Sequence, residues 1–537
     1  MAGLRTTLRR GFDRAERGLD RLFGHDWNPL ANLGPLGWFL FWIVVVSGIY
    51  LFIFWDTGVH ASYESVEWIT HDLWWHAGLS RSLHRYASDL MVLVMFLHLV
   101  REWARDRYRG KRWFSWVTGV PIIWFVYLSG ITGYWLVWDQ LAQYVAITST
   151  ELLDALGIFA EPIARNFLSP ANLSSRFFTL MVFLHIAIPL LLLLVMWIHT
   201  QRITDARTNP PFGLALITLV ALVVVSYAIP AVSQGPADLS LVPQRVGIDW
   251  FYLPLYPVIE IVPPGIIWAG VGLFTVVMIG LPWLPPRAEA AAAEVYLPRC
   301  NGCMRCANDC PYAAITIEPR SDGLPYPREV KVNPARCVAC GICMGSCPAS
   351  TPFRTSGDLK TGIDLPDYPF ARLRADVIAA AEALPEGGGR ILTLACAHGA
   401  GGEDAGPVPP GRVLVPCAAM PPPSIIDYII SRGLADGVCI SGCAERECQH
   451  RFGVDWMQQR IARTRDPLLR ERVPRERLLT VWAGPSEPLR LQMELAAFTE
   501  RLAAMAPYEK LRPLGAEEAA EARAVAQAVA RAQVVAK

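Results

Sequence analysis

The stretch Arg81-Ser-Leu-His84, followed by Leu97-His98-Leu-Val-Arg101, decides how the first half of this chain is read. It has an echo from His185 to His199, and both histidine pairs are 14 residues apart. On an α-helix, 14 residues advance about 1400° and rise about 21 Å. Each pair therefore sets two imidazoles on nearly one face, near opposite sides of a hydrocarbon core about 30 Å thick. Two such helices side by side can hold two iron porphyrins, His84 facing His185 and His98 facing His199, since imidazole nitrogen suits haem iron. For a lone histidine, a hydrogen-bonded core role is the competing explanation. Two equally spaced pairs on apolar helices favour ligands, because an ionisable group in hydrocarbon is costly and usually functional.

Glycine supplies an independent count. Gly34 and Gly48 are 14 apart, and so are Gly119 and Gly133. A residue without a side chain permits close approach of a bulky group. Any one of these could be a helix-packing glycine, but the spacing repeats that of the histidines.

This pattern resembles the cytochrome b of the bc1 and b6f complexes over roughly residues 30–285, with Trp116-Val-Thr-Gly119 and Gly133-Tyr134-Trp-Leu-Val-Trp138-Asp-Gln also matching. The spacing of 14 in the second pair is more similar to bc1. The resemblance implies two haem b groups. It also implies that Arg81 and Arg101 hold haem propionates and that the chain forms a homodimer.

Hydrophobic residues make up 53% of the 537, but unevenly, which points to membrane spans. A net charge of +1 says nothing about partners, and no nucleic-acid partner is expected. All 13 cysteines lie from Cys300 onward. That split separates a haem half from a cysteine-ligand half, and the spacings are those of metal ligands rather than disulfides.

Residues 1–33 are basic, with Leu4, Leu8, Phe12, Leu19, Leu22 and Phe23 at helical spacing, and predict an amphipathic helix on the membrane surface or else a solvated leader. Six spans follow, near 35–54, 80–100, 114–138, 177–199, 212–233 and 263–284. Segments 1–33, 101–112 and 200–211 carry 14 basic residues, whereas the alternate loops hold only Arg165 and Arg245. Both termini are therefore expected in the cytoplasm, and the chain in a bacterial inner membrane.

Before the last span comes Gly247-Ile-Asp249-Trp250-Phe251-Tyr252. It resembles the Pro-Glu-Trp-Tyr segment lining the quinol-oxidising pocket of cytochrome b, with Ile248 in place of Pro and Asp249 in place of Glu. A carboxylate beside a quinone can move the proton that accompanies each electron, so Asp249, Trp250 and Tyr252 are the candidate catalytic group. An interfacial aromatic belt with a loop acid is the alternative. For a cytoplasmic-side pocket only Asp205 and Arg207 offer themselves.

After a linker the chemistry changes. Cys300-x2-Cys303-x2-Cys306-x3-Cys310-Pro311 is followed by Cys337-x2-Cys340-x2-Cys343-x3-Cys347-Pro348. Each is the bacterial ferredoxin pattern, and two runs mean two [4Fe–4S] clusters, since the fourth cysteine of each run crosses to the other cube. One cluster would take Cys300, Cys303, Cys306 and Cys347, the other Cys337, Cys340, Cys343 and Cys310. A zinc site usually has four ligands, not eight in this order.

Beyond residue 372 three short apolar strands, 390–396, 411–417 and 437–443, each end in a cysteine and alternate with helical segments, as in a parallel sheet. Cys396, Pro416-Cys417, Ala435-Asp-Gly-Val438, Gly442-Cys443, Cys448 and His450 resemble the delta subunit of methyl-viologen-reducing hydrogenase, a family also fused to heterodisulfide-reductase-like flavoproteins. The resemblance implies one [2Fe–2S] cluster on Cys396, Cys417, Cys443 and Cys448, with zinc as the alternative. Cys439 lies within a strand and is expected to be a buried free thiol.

The expected fold class is multi-domain. An amphipathic N-terminal surface helix (1–33) precedes an all-α six-helix transmembrane cytochrome b bundle (34–285). A linker (286–298) leads to an α+β ferredoxin-like 2[4Fe–4S] domain (299–356), a small α/β C-terminal iron–sulfur domain (372–486) and a helical tail (487–537). The expected function is a membrane electron-transfer subunit of a quinone-linked oxidoreductase complex. It would pass electrons between a cytoplasmic partner and the quinone pool through [2Fe–2S], two [4Fe–4S] and two b haems. No Gly-x-Gly-x-x-Gly fingerprint opens a helix, so NAD or flavin is expected on a partner: a heterodisulfide-reductase-like flavoprotein, or a hydrogenase or formate dehydrogenase module. Reversed flow, with quinol oxidation reducing a low-potential acceptor, remains open, as does a membrane anchor or redox sensor.

Overall fold

The computed structural model describes residues 2–525 except 25, 159–160, 164–167, 170–171, 202–207, 244, 285–289, 355–358, 403–409, 486, 509–514, 516–519 and 522. Asp205, Arg207 and Arg165 lie outside the described residues. The chain divides into two units, Met1–Gln201 with Ala206–Pro286, and Arg202–Asp205 with Arg287–Lys537.

In the first unit, uniformly apolar runs become long helices because hydrocarbon offers no partner for backbone polar groups outside the segment itself. The helices are α1 (Ala2–Phe23), α2 (Leu33–Phe52), α3 (Ala61–His71), α4 (Leu79–Ala104), α5 (Trp113–Val137), α6 (Gln140–Asp154), α7 (Ser175–Thr200), α8 (Phe212–Ala228) and α9 (Pro264–Gly280). With their adjoining turns, α2, α4, α5, α7 and α9 are the five described helices long and apolar enough to cross a membrane. The run expected at 212–233 is shorter: α8 has 17 residues, and Pro230 biases Ile229 (φ −135°, ψ 76°) out of the helical region.

The tightest helix pairs are α2 with α4 and α5 with α7. Helix α1 is fastened to α4 by buried ion pairs: Arg101 Nε donates to Glu16 at 2.8 Å, and Arg105 Nη2 to Asp13 at 3.1 Å and Glu16 at 2.9 Å. At the far end of α5, Asp139 caps α6 by accepting the Ala142 N–H at 2.8 Å. Its other oxygen accepts the Gln234 N–H at 2.9 Å. One carboxylate thereby pins the loop that leads to Asp249.

In the second unit, β1 (Glu294–Val295) pairs antiparallel with β4 (Ile363–Asp364), and β2 (Ile315–Pro319) with β3 (Arg328–Val332). Strands β5 (Ile391–Cys396), β6 (Arg412–Val415), β7 (Gly437–Gly442) and β8 (Leu478–Trp482) form a parallel sheet of order β6-β5-β7-β8. β8 adds a strand to the three that sequence predicts. Helices α10 (Phe370–Glu382), α11 (Pro423–Ser431), α12 (Gly453–Ala462) and α13 (Pro488–Ala503) accompany the sheet. Parallel strands covered on both faces read as continuous apolar runs, and β7 is buried along its whole length. Helix α13, in the segment read as a tail, packs on the sheet: Phe498 and Leu502 lie against Gly437. One hydrophobic core runs from Cys306 and Cys340 to Cys417 and Cys448.

Candidate functional site

Each of the four singled-out glycines faces one of the four histidines. A Cβ on Gly48 would stand 2.9 Å from His84 Cε1, on Gly133 2.9 Å from His185, on Gly119 3.4 Å from His199 and on Gly34 3.8 Å from His98. Any larger residue at Gly48 or Gly133 would push the imidazole aside. The equal spacing of glycines and histidines is thus a consequence of two helix pairs in register.

The neighbouring helix also fixes the ring. His84 Nδ1 donates to the Val44 carbonyl at 2.9 Å, and His185 Nδ1 to that of Ser129 at 3.0 Å. His199 meets the backbone of Ser115. In all three cases the carbonyl lies four residues before the facing glycine. A hydroxyl directly before that glycine touches the same nitrogen: Ser47 and Thr118 at 3.2 Å, Thr132 at 3.3 Å. With Nδ1 committed, Nε2 is the nitrogen left to bind a metal, and such outer partners orient ligands. His84 and His185 stand with ring centroids 6.2 Å apart. This paired, tautomer-fixed donor set fits haem iron. The Ser/Thr-Gly dipeptides were readable in the sequence; the carbonyls were not. Arg81 donates to Thr70 and, at 2.9 Å, to Ser233, while Arg101 is bound by Glu16.

Asp249 is buried. Its Oδ2 accepts from Tyr134 and from Arg85 Nη2 at 2.8 Å, and its Oδ1 from the Phe251 N–H at 2.7 Å. Tyr252 lies over Gly130, where a Cβ would clash with its ring edge at Cε1 and Cδ1, and its hydroxyl meets Ser88 at 2.6 Å. Trp250, by contrast, is 70% exposed and stands apart from this group. Arg85, Asp89 and Tyr134 join Asp249 only through folding, since α4, α5 and the loop before α9 supply them separately.

In the second unit the thiols gather into three groups. Cys300, Cys303, Cys306 and Cys347 line one cavity, and Cys310, Cys337, Cys340 and Cys343 another. The first and second runs have exchanged their fourth cysteines. Left-handed residues wind both runs alike: Gly302 and Met304 in the first, Ala339 and Gly341 in the second. Backbone N–H groups point at sulfur, Ala293 to Cys337 at 3.4 Å and Ala314 to Cys310 at 3.3 Å. Burial pushes the Cys306 and Cys340 thiols well above the ordinary thiol range, with neighbouring thiols adding to the effect. Thiolates persist in such a dry pocket when a cation offsets their charge. Two four-thiol cages with N–H···S contacts fit iron–sulfur cubes.

Cys396 and Cys443 approach to 3.9 Å at the carboxyl ends of β5 and β7. Cys448 contacts both Cys443 and Cys417, completing a buried set of four. A Cβ on Gly453 would lie 2.4 Å from Cys417 Sγ and 3.2 Å from Cys448 Sγ. Cys439 stays apart, inside β7, and burial pushes its thiol up to about 12. Cys340 of the second cage neighbours Cys417 and Cys448, and His450 Nδ1 meets the Tyr312 hydroxyl at 3.1 Å.

Comparison with known proteins follows this division. Residues 22–206 match the family Cytochrome b/b6/petB, 299–351 the 4Fe-4S dicluster domain, and 407–506 the family Methyl-viologen-reducing hydrogenase, delta subunit. Cytochrome b6 of Porphyra purpurea is 30% identical over 191 residues, 34% of this chain and 86% of that one. Cytochrome b of Acanthamoeba castellanii is 25% identical over 288 residues, 48% of this chain and 73% of that one. Cytochrome b of Rhodospirillum rubrum is 24% identical over 290 residues, covering 48% and 70%. Cytochrome b homology implies haem b, and the dicluster match implies [4Fe–4S]. A multi-pass membrane electron-transfer subunit with iron–sulfur domains results, and through its membrane half the chain belongs to the cytochrome b/b6 family.

Proposed function

We propose that the protein links a cytoplasmic redox partner to membrane quinone as a subunit of a quinone-linked oxidoreductase complex. The observation that carries this reading is the repeated unit of histidine, facing glycine and backbone acceptor, combined in one chain with three thiol groups. When bound, two b haems, two [4Fe–4S] clusters and one [2Fe–2S] cluster supply one-electron carriers.

The chain's own residues do the remaining work. His84 with His185, and His98 with His199, hold the two haem irons, and Arg81 neutralises a propionate, whereas Arg101 spends its charge on Glu16. Cys300, Cys303, Cys306 and Cys347 hold one cube; Cys337, Cys340, Cys343 and Cys310 hold the other. Cys396, Cys417, Cys443 and Cys448 hold the smaller cluster. The nearness of Cys340 to Cys417 and Cys448, close enough for their charges to interact, supports an order in which the second cage neighbours the [2Fe–2S] site. Asp249 moves the proton that accompanies each electron exchanged with quinone, Tyr134 and Arg85 orient its carboxylate, and Tyr252 packs the quinone ring. The basic loops support cytoplasmic termini, and the hydrogenase-delta-like region supports a flavin-containing partner.

Quinol-dependent haem reduction in the purified holoprotein tests the reading. Asp249→Asn should keep both haems and all clusters and slow that reaction about a hundredfold. A normal rate would move the pocket elsewhere.

A further inference from the structure

The geometry points to Asp89 as a second proton-accepting carboxylate of the quinone site, paired with Asp249 across Arg85. This rests on the reading that Asp249 serves quinone. Asp89 lies on α4, five residues beyond His84. Arg85 donates through Nε to Asp89 Oδ2 at 3.2 Å and through Nη2 to Asp249 Oδ2 at 2.8 Å. One guanidinium thus holds two carboxylates, at 8% and 7% exposure.

The two acids are served unequally. Asp249 has Arg85, Tyr134 and the Phe251 N–H. Asp89 has only Arg85, and its Oδ1 is buried with no hydrogen-bond partner among the described residues. The two carboxylates share that one guanidinium, and two negative charges against one positive charge in a dry site supply the drive to take up a proton. Facing the pair are Arg85 from α4, Tyr134 and Tyr127 from α5, and Tyr252 from the loop before α9, whose hydroxyl contacts Ser88, the neighbour of Asp89.

Quinone chemistry calls for two such groups. Oxidation of a quinol breaks two O–H bonds and releases two electrons and two protons; reduction of a quinone is the reverse. The electrons are exchanged one at a time with the chain's one-electron carriers. Asp249 takes one proton and Asp89 the other, with Arg85 keeping the pair together. A single acid would have to discharge between the two transfers.

The test uses holoprotein with a short-chain ubiquinol and a naphthoquinol. Two readouts are taken: the rate of quinol-dependent haem reduction, and the quinone-induced infrared difference spectrum in the protonated-carboxyl region. The wild type should show two carboxyl bands. Asp89→Asn and Asp249→Asn should each remove a different one, and Asp89→Asn should slow haem reduction about a hundredfold with both haems retained. A wild-type rate and an unchanged band in Asp89→Asn, with Asp249→Asn slowed, would overturn the role of Asp89 and leave the quinone site standing. Wild-type rates in both variants would overturn the quinone site as well. If Asp89→Asn fails to assemble, the wild-type spectrum decides: a single carboxyl band overturns the proposal.

Discussion

Gly133 lies directly beneath the His185 imidazole, so close that a Cβ there would stand 2.9 Å from Cε1. The same helix also holds the ring by that edge, since His185 Nδ1 donates to Ser129, four residues before that glycine. Ring, glycine and carbonyl form one unit, and an equivalent unit surrounds His84 with Gly48 and Val44.

Gly133→Leu should therefore displace His185 and remove one haem while the His98–His199 site stays filled. Haem per protein, measured as the pyridine haemochrome, should fall from two to one. Two haems with an unaltered reduced spectrum would refute the assignment.

His98→Leu should remove the other haem and leave the His84–His185 site filled, with its unchanged α-band. Retention of both haems in this variant would exclude His98 as a ligand.

Iron analysis should give about ten Fe per chain in clusters, eight from two cubes and two from the smaller centre. Cys448→Ser should cost two of them. Cys439→Ser should cost none, because that thiol is buried inside β7 away from the other four. Stoichiometric zinc in the wild type would contradict the [2Fe–2S] assignment.

Arg460 is fully buried and donates to Asp309 at 2.7 Å and to Ser346 at 2.6 Å. A third bond runs to the Ala419 carbonyl at 2.8 Å. It joins the residue before Cys310 to the segment after Cys417. Arg460→Met removes these bonds while Asp309 keeps Arg465 and Ser346, so the loss should be about 1–3 kcal/mol. Denaturant unfolding followed by cluster absorbance should register that loss. An unchanged midpoint would show the pair to be dispensable.

Burial pushes the Asp364 carboxyl from its ordinary 3.8 up to about 6. A carboxyl raised in the folded state binds its proton more tightly there than in the unfolded chain. Its ionisation therefore subtracts stability as pH rises through 3.8 to about 6, and the penalty is fully present above that window. Asp364→Asn, which can still accept the Leu365 and Phe370 N–H bonds, should gain on the wild type across this window and level off above it. A difference in unfolding midpoint that stays flat with pH would refute the linkage.

Spacing alone determined much of this protein. The 14-residue repeats, the two ferredoxin runs and the strand-end cysteines are local patterns, because helix pitch and cluster geometry demand fixed intervals along the chain. Length and hydropathy likewise located the membrane helices, though Pro230 ended α8 earlier than composition alone suggested. Tertiary structure decided what depends on residues far apart in sequence. Arg85 and Asp89 look like an ordinary helical ion pair until Asp249 arrives 164 residues later to share the same guanidinium. Asp309 and Arg460 look like surface charges until folding buries them together across a sequence separation of 151. Trp250 sits in the same motif as Asp249 yet faces outward. Burial, and the charge pairing it enforces, are properties of packing, and only the folded chain brings those groups into one low-dielectric site.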